Sequence, residues 1–305
     1  MSKSLPFAPL VPGATLGVIA PAGPAPAEAV AQVPALIERM GYVPRLFPGC
    51  HERLPFLAGS DARRRQDFMD AFTDPGIDAV ICLRGGYGSG RLLDQIDWPV
   101  VFAHKKLFIG YSDISALQAQ FTNAGLITFH GPMLTSDLIR SPYTPEELGY
   151  DLFRTGLSAG TTWKPDLEPS LFTQAGRTSG KLVGGNLSLI TSLLGTPYAL
   201  DLRDAVLFLE EVGEVPYRID RYLQQLRHAG ALDQVRGFVL GRFNDAESPA
   251  DVLAEYLTPL RKPVLGGWPA GHGVGARVLP LGVPVEVDAT AGALTFLETV
   301  IAPAT

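Results

Sequence analysis

Short apolar runs alternating with helix-like segments fill the first half of the chain, and that rhythm leaves it few architectures. Thr15–Ala20 is β-branched and apolar and closes on Pro21, Ala22 and Gly23. Tyr42–Phe47, Ala79–Leu83, Leu107–Ile109 and Leu126–Phe129 repeat the pattern. Glu28–Met40 reads as helix, with Pro34 bending or resetting it, and Ser60–Phe72 as a second helix with Ser60 as N-cap, ended by Asp74, Pro75 and Gly76. Leu92, Leu93 and Ile96 share one helical face. Strands without polar alternation are buried on both faces, so the pattern predicts a parallel sheet covered by helices on each side. Such sheets bind ligands at the carboxyl ends of their strands, where Arg84, Ser112 and His130 fall.

At 305 residues the chain exceeds the usual size of one domain. Between about residues 140 and 180 the pattern loosens around Pro142, Pro145, Pro165 and Pro169. The expected division is 1–155, a nucleophile-bearing α/β domain; 156–180, a linker; and 181–305, a smaller α/β domain rich in strands. In that second part Ala205–Leu209 and Val235–Leu240 read as strands, and Ile219, Tyr222, Leu223 and Leu226 lie at helical spacing. The fold class is thus a Rossmann-like parallel sheet flanked by helices, joined to a second α/β unit.

Composition removes several functions. A net charge of −6 opposes a nucleic-acid partner, which wants a basic face. The one tight basic run, Arg63–Arg65, reads as a solvated helix face. No apolar run is long enough to span a bilayer, and Pro6, Pro9, Pro12 and Gly13 make a poor signal peptide. Cys50 and Cys82 fit no metal spacing, and with no H-E-x-x-H motif no metal or other cofactor is expected. Two isolated cysteines suit a reducing compartment, so the expected location is cytoplasmic.

The stretch Lys106–Phe121 reads as strand, tight turn and helix, with Ser112 at the turn. A serine there is either a helix cap or a nucleophile held in a strained, exposed conformation. Gly85 and Gly86, in the loop Arg84–Gly90, suit a phosphate cradle, a backbone N–H aimed at an oxyanion, or a plain turn. Glu210 is the first polar residue after four apolar ones, but pattern alone does not separate it from Glu211 or Glu214. His272 sits in the small-residue loop Ala270–Gly275, and His130, at a strand end, is the rival base. His51, His104 and His228 read as surface or packing residues.

Taken in order, these segments resemble the LD-carboxypeptidase family of serine peptidases. The motifs are Gly17–Gly23, Arg84–Gly88, Gly110–Asp113, His130–Met133, Gly184–Leu187, Phe208–Glu210 and Gly271–Gly273. The resemblance covers nearly the whole chain; Ser115 stands where a threonine is usual and Glu211 where an aspartate is common. It implies a triad of Ser112, Glu210 and His272 shared between two domains. It implies oxyanion N–H groups from Asp113 and from Gly85 or Gly86, with His130 a pocket or supporting residue. Arg84 falls near the place for a substrate's terminal carboxylate and equally suits packing against the sheet.

The activity so implied is release of terminal D-alanine from murein tetrapeptides by a cytoplasmic homodimer. A sister branch hydrolyses microcin-type aminoacyl nucleotides and typically carries an asparagine where Gly88 stands. A non-catalytic module binding a phosphorylated ligand through the Arg84 loop is the remote alternative.

Overall fold

The computed structural model describes residues 6–167, 172–244 and 247–304. Two sheets organise it. The first holds β1 (Thr15–Ile19), β2 (Val43–Leu46), β3 (Ala79–Cys82), β4 (Leu107–Gly110) and β5 (Thr128–His130), parallel and in the order 2-1-3-4-5. Beyond it, β6 (Thr162–Trp163), β7 (Arg177–Asn186), β8 (Val206–Val212), β9 (Gly237–Asn244) and β10 (Val264–Leu265) follow in the chain. The last three strands are β11 (Leu279–Leu281), β12 (Val283–Asp288) and β13 (Ala293–Phe296). The second sheet runs 10-9-8-7-12-13-6, with a parallel half from β10 to β7 and an antiparallel half beyond it.

The parallel reading of the first sheet needs one addition. β11, from near the chain's end, pairs antiparallel with β5 and closes that edge, with Leu279 opposite His130. A three-residue strand carries too little periodicity to be assigned to a distant partner from sequence. Its pairing covers an edge that would otherwise expose unpaired backbone groups.

Helix boundaries follow local chemistry. Ser60 caps Asp61–Thr73 by accepting from the Arg63 N–H at 3.2 Å. The expected helix over Glu28–Met40 is two, Ala27–Val30 and Val33–Arg39, because Pro34 lacks an N–H and is tolerated only in the first turn of the second.

Two apolar cores each draw residues from both sheets. In one, Val18 and Phe129 join Val206, Phe208 and Val283; in the other, Phe108 and Leu117 join Val183, Leu207 and Leu223. Each fully buried side chain of this size contributes about 2 kcal/mol relative to exposure. The two sheets are therefore held against one another by packing, which a site shared between them requires. Among the described residues no helix is long and apolar enough to cross a membrane. Cys50 and Cys82 are both free and buried.

Candidate active site

The strand β4 delivers the serine. Phe108 stacks on Phe121 with centroids 5.1 Å apart and meets Phe72 edge-on, which fixes the strand against the following helix, Ser115–Asn123. Gln118 of that helix donates to the carbonyls of Gly110 and Phe129, both at 2.9 Å, pinning the turn to β4 and β5. Between strand and helix the chain reverses so sharply that Ser112 takes φ 64°. For a residue with a Cβ this costs roughly 1–2 kcal/mol. The Ser112 hydroxyl does not cap the helix, whose N-cap is Ile114 without a side-chain bond. It turns to His272 instead, with Oγ 3.0 Å from Nε2.

His272 is set by Glu210. The Glu210 Oε2 accepts the His272 backbone N–H at 3.1 Å and lies 2.7 Å from Nδ1. A carboxylate only accepts, so the ring proton belongs on Nδ1 and Nε2 is left to accept from the serine hydroxyl. Gly271 makes this approach possible: its φ is +106°, and a Cβ there would stand 2.8 Å from Glu210 Oε2. Burial alone would raise the Glu210 carboxyl, but the adjacent imidazole outweighs it and holds the carboxyl below its ordinary value. Burial alone would lower His272; the Glu210 charge overrides it and holds the imidazole above its ordinary value.

Glu211 does something else. Its Oε1 accepts from Asn186 Nδ2 and its Oε2 from the Ser188 N–H, both at 2.8 Å, at the start of the helix Leu187–Ser192 that Asn186 caps. Successive strand residues face opposite sides, and a register shift between Leu209 and Glu211 in the pairing with β9 accompanies the divergence. Glu214 accepts from Arg218 and Tyr222 instead.

The glycine loop after β3 packs directly on the serine. A Cβ at Gly85 would lie 3.1 Å from Ser112 Oγ, and the Gly85 carbonyl accepts from Gly23 N–H at 3.0 Å, which ties in the loop after β1. The Asp113 carboxylate accepts from Ser89 N–H at 2.7 Å, and its backbone carbonyl accepts from the Ser89 hydroxyl. Loop and turn are thereby stitched together.

Arg64 corrects the sequence reading of a solvated basic face. It is fully buried and donates to the carbonyls of Pro21 and Gly88 and to Asp61. Those carbonyls converge from segments remote in sequence, so helical periodicity alone could not reveal the need for a donor there. Arg84 donates from Nη1 to Pro24 O at 3.1 Å and so leans along the loop after β1.

His130 is fully enclosed, edge-on to Tyr111 and Phe208 with centroids 5.4 and 5.0 Å away. Burial pushes its pKa down to about 4, so the ring is neutral near pH 7. Of the two places open to it, a supporting position behind the site is the one its enclosure fits. Tyr111, which sequence reasoning passed over, has its ring 4.7 Å from that of His272 and donates to Asp137 Oδ1 at 2.9 Å. A cavity of about 380 Å³ opens beside Tyr111 and His272.

A positive-φ serine on a strand-to-helix turn, facing a histidine oriented by a buried carboxylate, is the arrangement of serine-nucleophile hydrolases. Residues 16–131 match the LD-carboxypeptidase N-terminal domain and residues 179–287 its C-terminal domain, so the chain belongs to the LD-carboxypeptidase family of serine peptidases. The murein tetrapeptide carboxypeptidase of Pseudomonas aeruginosa is 36% identical over 75% of this chain and 78% of its own. The microcin C7 self-immunity protein of Escherichia coli is 29% identical over 76% and 77%. The crystal structure of muramoyltetrapeptide carboxypeptidase from Oxalobacter formigenes superposes with a TM-score of 0.82, at 29% identity, over 95% of this chain and all of that one.

Proposed function

We propose that this protein is a serine LD-carboxypeptidase that hydrolyses the L,D-peptide bond releasing terminal D-alanine from murein tetrapeptides. The observation that carries the reading is the line from Ser112 Oγ to His272 Nε2 at 3.0 Å and from Nδ1 to Glu210 Oε2 at 2.7 Å. Relatives that act on murein tetrapeptides by name supply the substrate class.

In this reading His272 takes the Ser112 proton as Oγ attacks the scissile carbonyl. Glu210 holds the ring in the productive tautomer and stabilises the imidazolium. The N–H groups of Asp113 and of Gly85 or Gly86 receive the oxyanion, each worth about 3 kcal/mol of barrier. The imidazolium then gives its proton to the departing D-alanine nitrogen as the C–N bond breaks. Water, deprotonated by His272, cleaves the ester and returns Ser112.

The same reading assigns the nucleophile to a domain of residues 1–155 and its partners to one of residues 181–305, joined by 156–180, in a cytoplasmic homodimer. Sedimentation of the purified chain tests the dimer. The activity is tested by D-alanine release from the free tetrapeptide. The intact chain should release it and the Ser112→Ala variant should not; release by both would overturn the assignment.

A microcin-immunity-type hydrolase would use the same three side chains. One observation favours the murein branch. Gly88 has φ +118°, a backbone conformation that strains any residue with a Cβ, so the asparagine typical of the immunity branch is disfavoured in this loop.

A further inference from the structure

An exopeptidase that removes one terminal residue has to recognise the free carboxylate, and the triad itself offers no cation for it. His272 must protonate the departing nitrogen, so the leaving residue lies on the side of the imidazole away from the acyl chain. A cavity bordered by His272 and Tyr111, with a volume of about 380 Å³ at the small end of ligand sites, is open to that residue. Its wall includes Ser136, Asp137, Arg140 and Ser141, followed round by the glycines of the His272 loop.

The charges in that wall are not equivalent. Asp137 is spent on the fold: it accepts from Tyr111 Oη, from the Ser136 hydroxyl at 2.7 Å and from the Met133 N–H at 2.8 Å. Arg140 is the one lysine or arginine lining the cavity among the described residues. It lies two residues past the π-helical turn Leu134–Leu138, is exposed, and has no side-chain hydrogen bond or ion pair among the described residues. Of the other arginines around the site, Arg84 donates to Pro24 O, Arg242 donates to Val274 O at 2.8 Å and so braces the loop that carries His272, and Arg277 lines a different cavity. A guanidinium matches a carboxylate with two parallel N–H bonds, which a lysine cannot reproduce.

We infer that Arg140 is the specificity-determining residue that grips the terminal α-carboxylate of the leaving D-amino acid. This deepens the carboxypeptidase reading and rests on it. The same contact explains why a chain with a general acyl-transfer triad would act from the chain end.

The test compares a murein tetrapeptide ending in a free carboxylate with the same peptide ending in a carboxamide, on the intact chain, Arg140→Ala and Arg140→Lys. The intact chain should favour the acid. Arg140→Ala should lower the acid-to-amide ratio of kcat/KM by at least about 10-fold, mostly through KM, as expected for removing charge-assisted hydrogen bonds. Arg140→Lys should recover part of that ratio.

An unchanged ratio in a folded Arg140→Ala variant, with D-alanine still released by the intact chain, overturns this inference alone. Absence of release from either peptide by the intact chain overturns the carboxypeptidase reading instead. Because Arg140 is exposed, its thermal midpoint should match that of the intact chain, which separates lost recognition from lost fold.

Discussion

Replacing Glu210 by glutamine removes one charge and one acceptor at the point where the ring is oriented. The carboxylate is fully buried and 2.7 Å from Nδ1, so when His272 becomes an imidazolium the pair attracts by about 6 kcal/mol at an effective dielectric constant near 20. At 1.36 kcal/mol per decade that corresponds to about four decades of rate. The ring is partly exposed, and water recovers a share, so the expected loss in kcat is roughly 10³–10⁴-fold. The pH profile moves too. His272 works as a base only when neutral, and Glu210 holds its pKa above the ordinary histidine value, so activity of the intact chain falls as pH drops through a midpoint raised above that of a free imidazole. Without the anion, burial is opposed only by the weaker Asp137 and Glu211 charges, and that midpoint should shift to lower pH. The assay is kcat/KM for D-alanine release against pH. A Glu210→Gln variant within tenfold of the intact chain, or with the same acidic midpoint, would refute the reasoning.

Glu211→Gln serves as the contrast: it should lower stability by about 1–2 kcal/mol in denaturant melts, through the bonds to Asn186 and Ser188, while moving the acidic midpoint far less than Glu210→Gln does, because its charge is the weakest of those that raise His272. Ser112→Ala and Ser112→Gly should both be inactive, yet the glycine variant should be the more stable by about 1 kcal/mol, because only glycine adopts φ 64° without strain. Equal melting midpoints would contradict that. Arg64→Met should cost about 2–4 kcal/mol by orphaning the buried carbonyls of Pro21 and Gly88, read as a fall in denaturation midpoint.

What could be read from sequence was what depends on neighbours along the chain. The strand–turn–helix at Ser112 was legible because apolar run, glycine and amphipathic segment are contiguous, and its strained φ follows from that succession. His272 was legible as a ring between glycines. The choice between Glu210 and Glu211 was not, since period-two alternation says that they face opposite sides without saying which side holds the histidine. Arg64 and Asp137 were invisible for a different reason. Their partners lie on other segments, at Pro21 and Gly88 for the one and at Tyr111 for the other, and only the folded chain brings those acceptors and donors together. β11 belongs with these, a strand too short to announce that it crosses to the first sheet.

The account turns on Ser112 forming a covalent bond to the substrate. Intact-mass and peptide-mapping spectrometry on protein quenched in acid during turnover of the tetrapeptide would show it directly. The expected result is a tripeptidyl adduct, the tetrapeptide less D-alanine, on the fragment containing Ser112 and absent from Ser112→Ala. D-alanine release with an adduct on any other residue would contradict it.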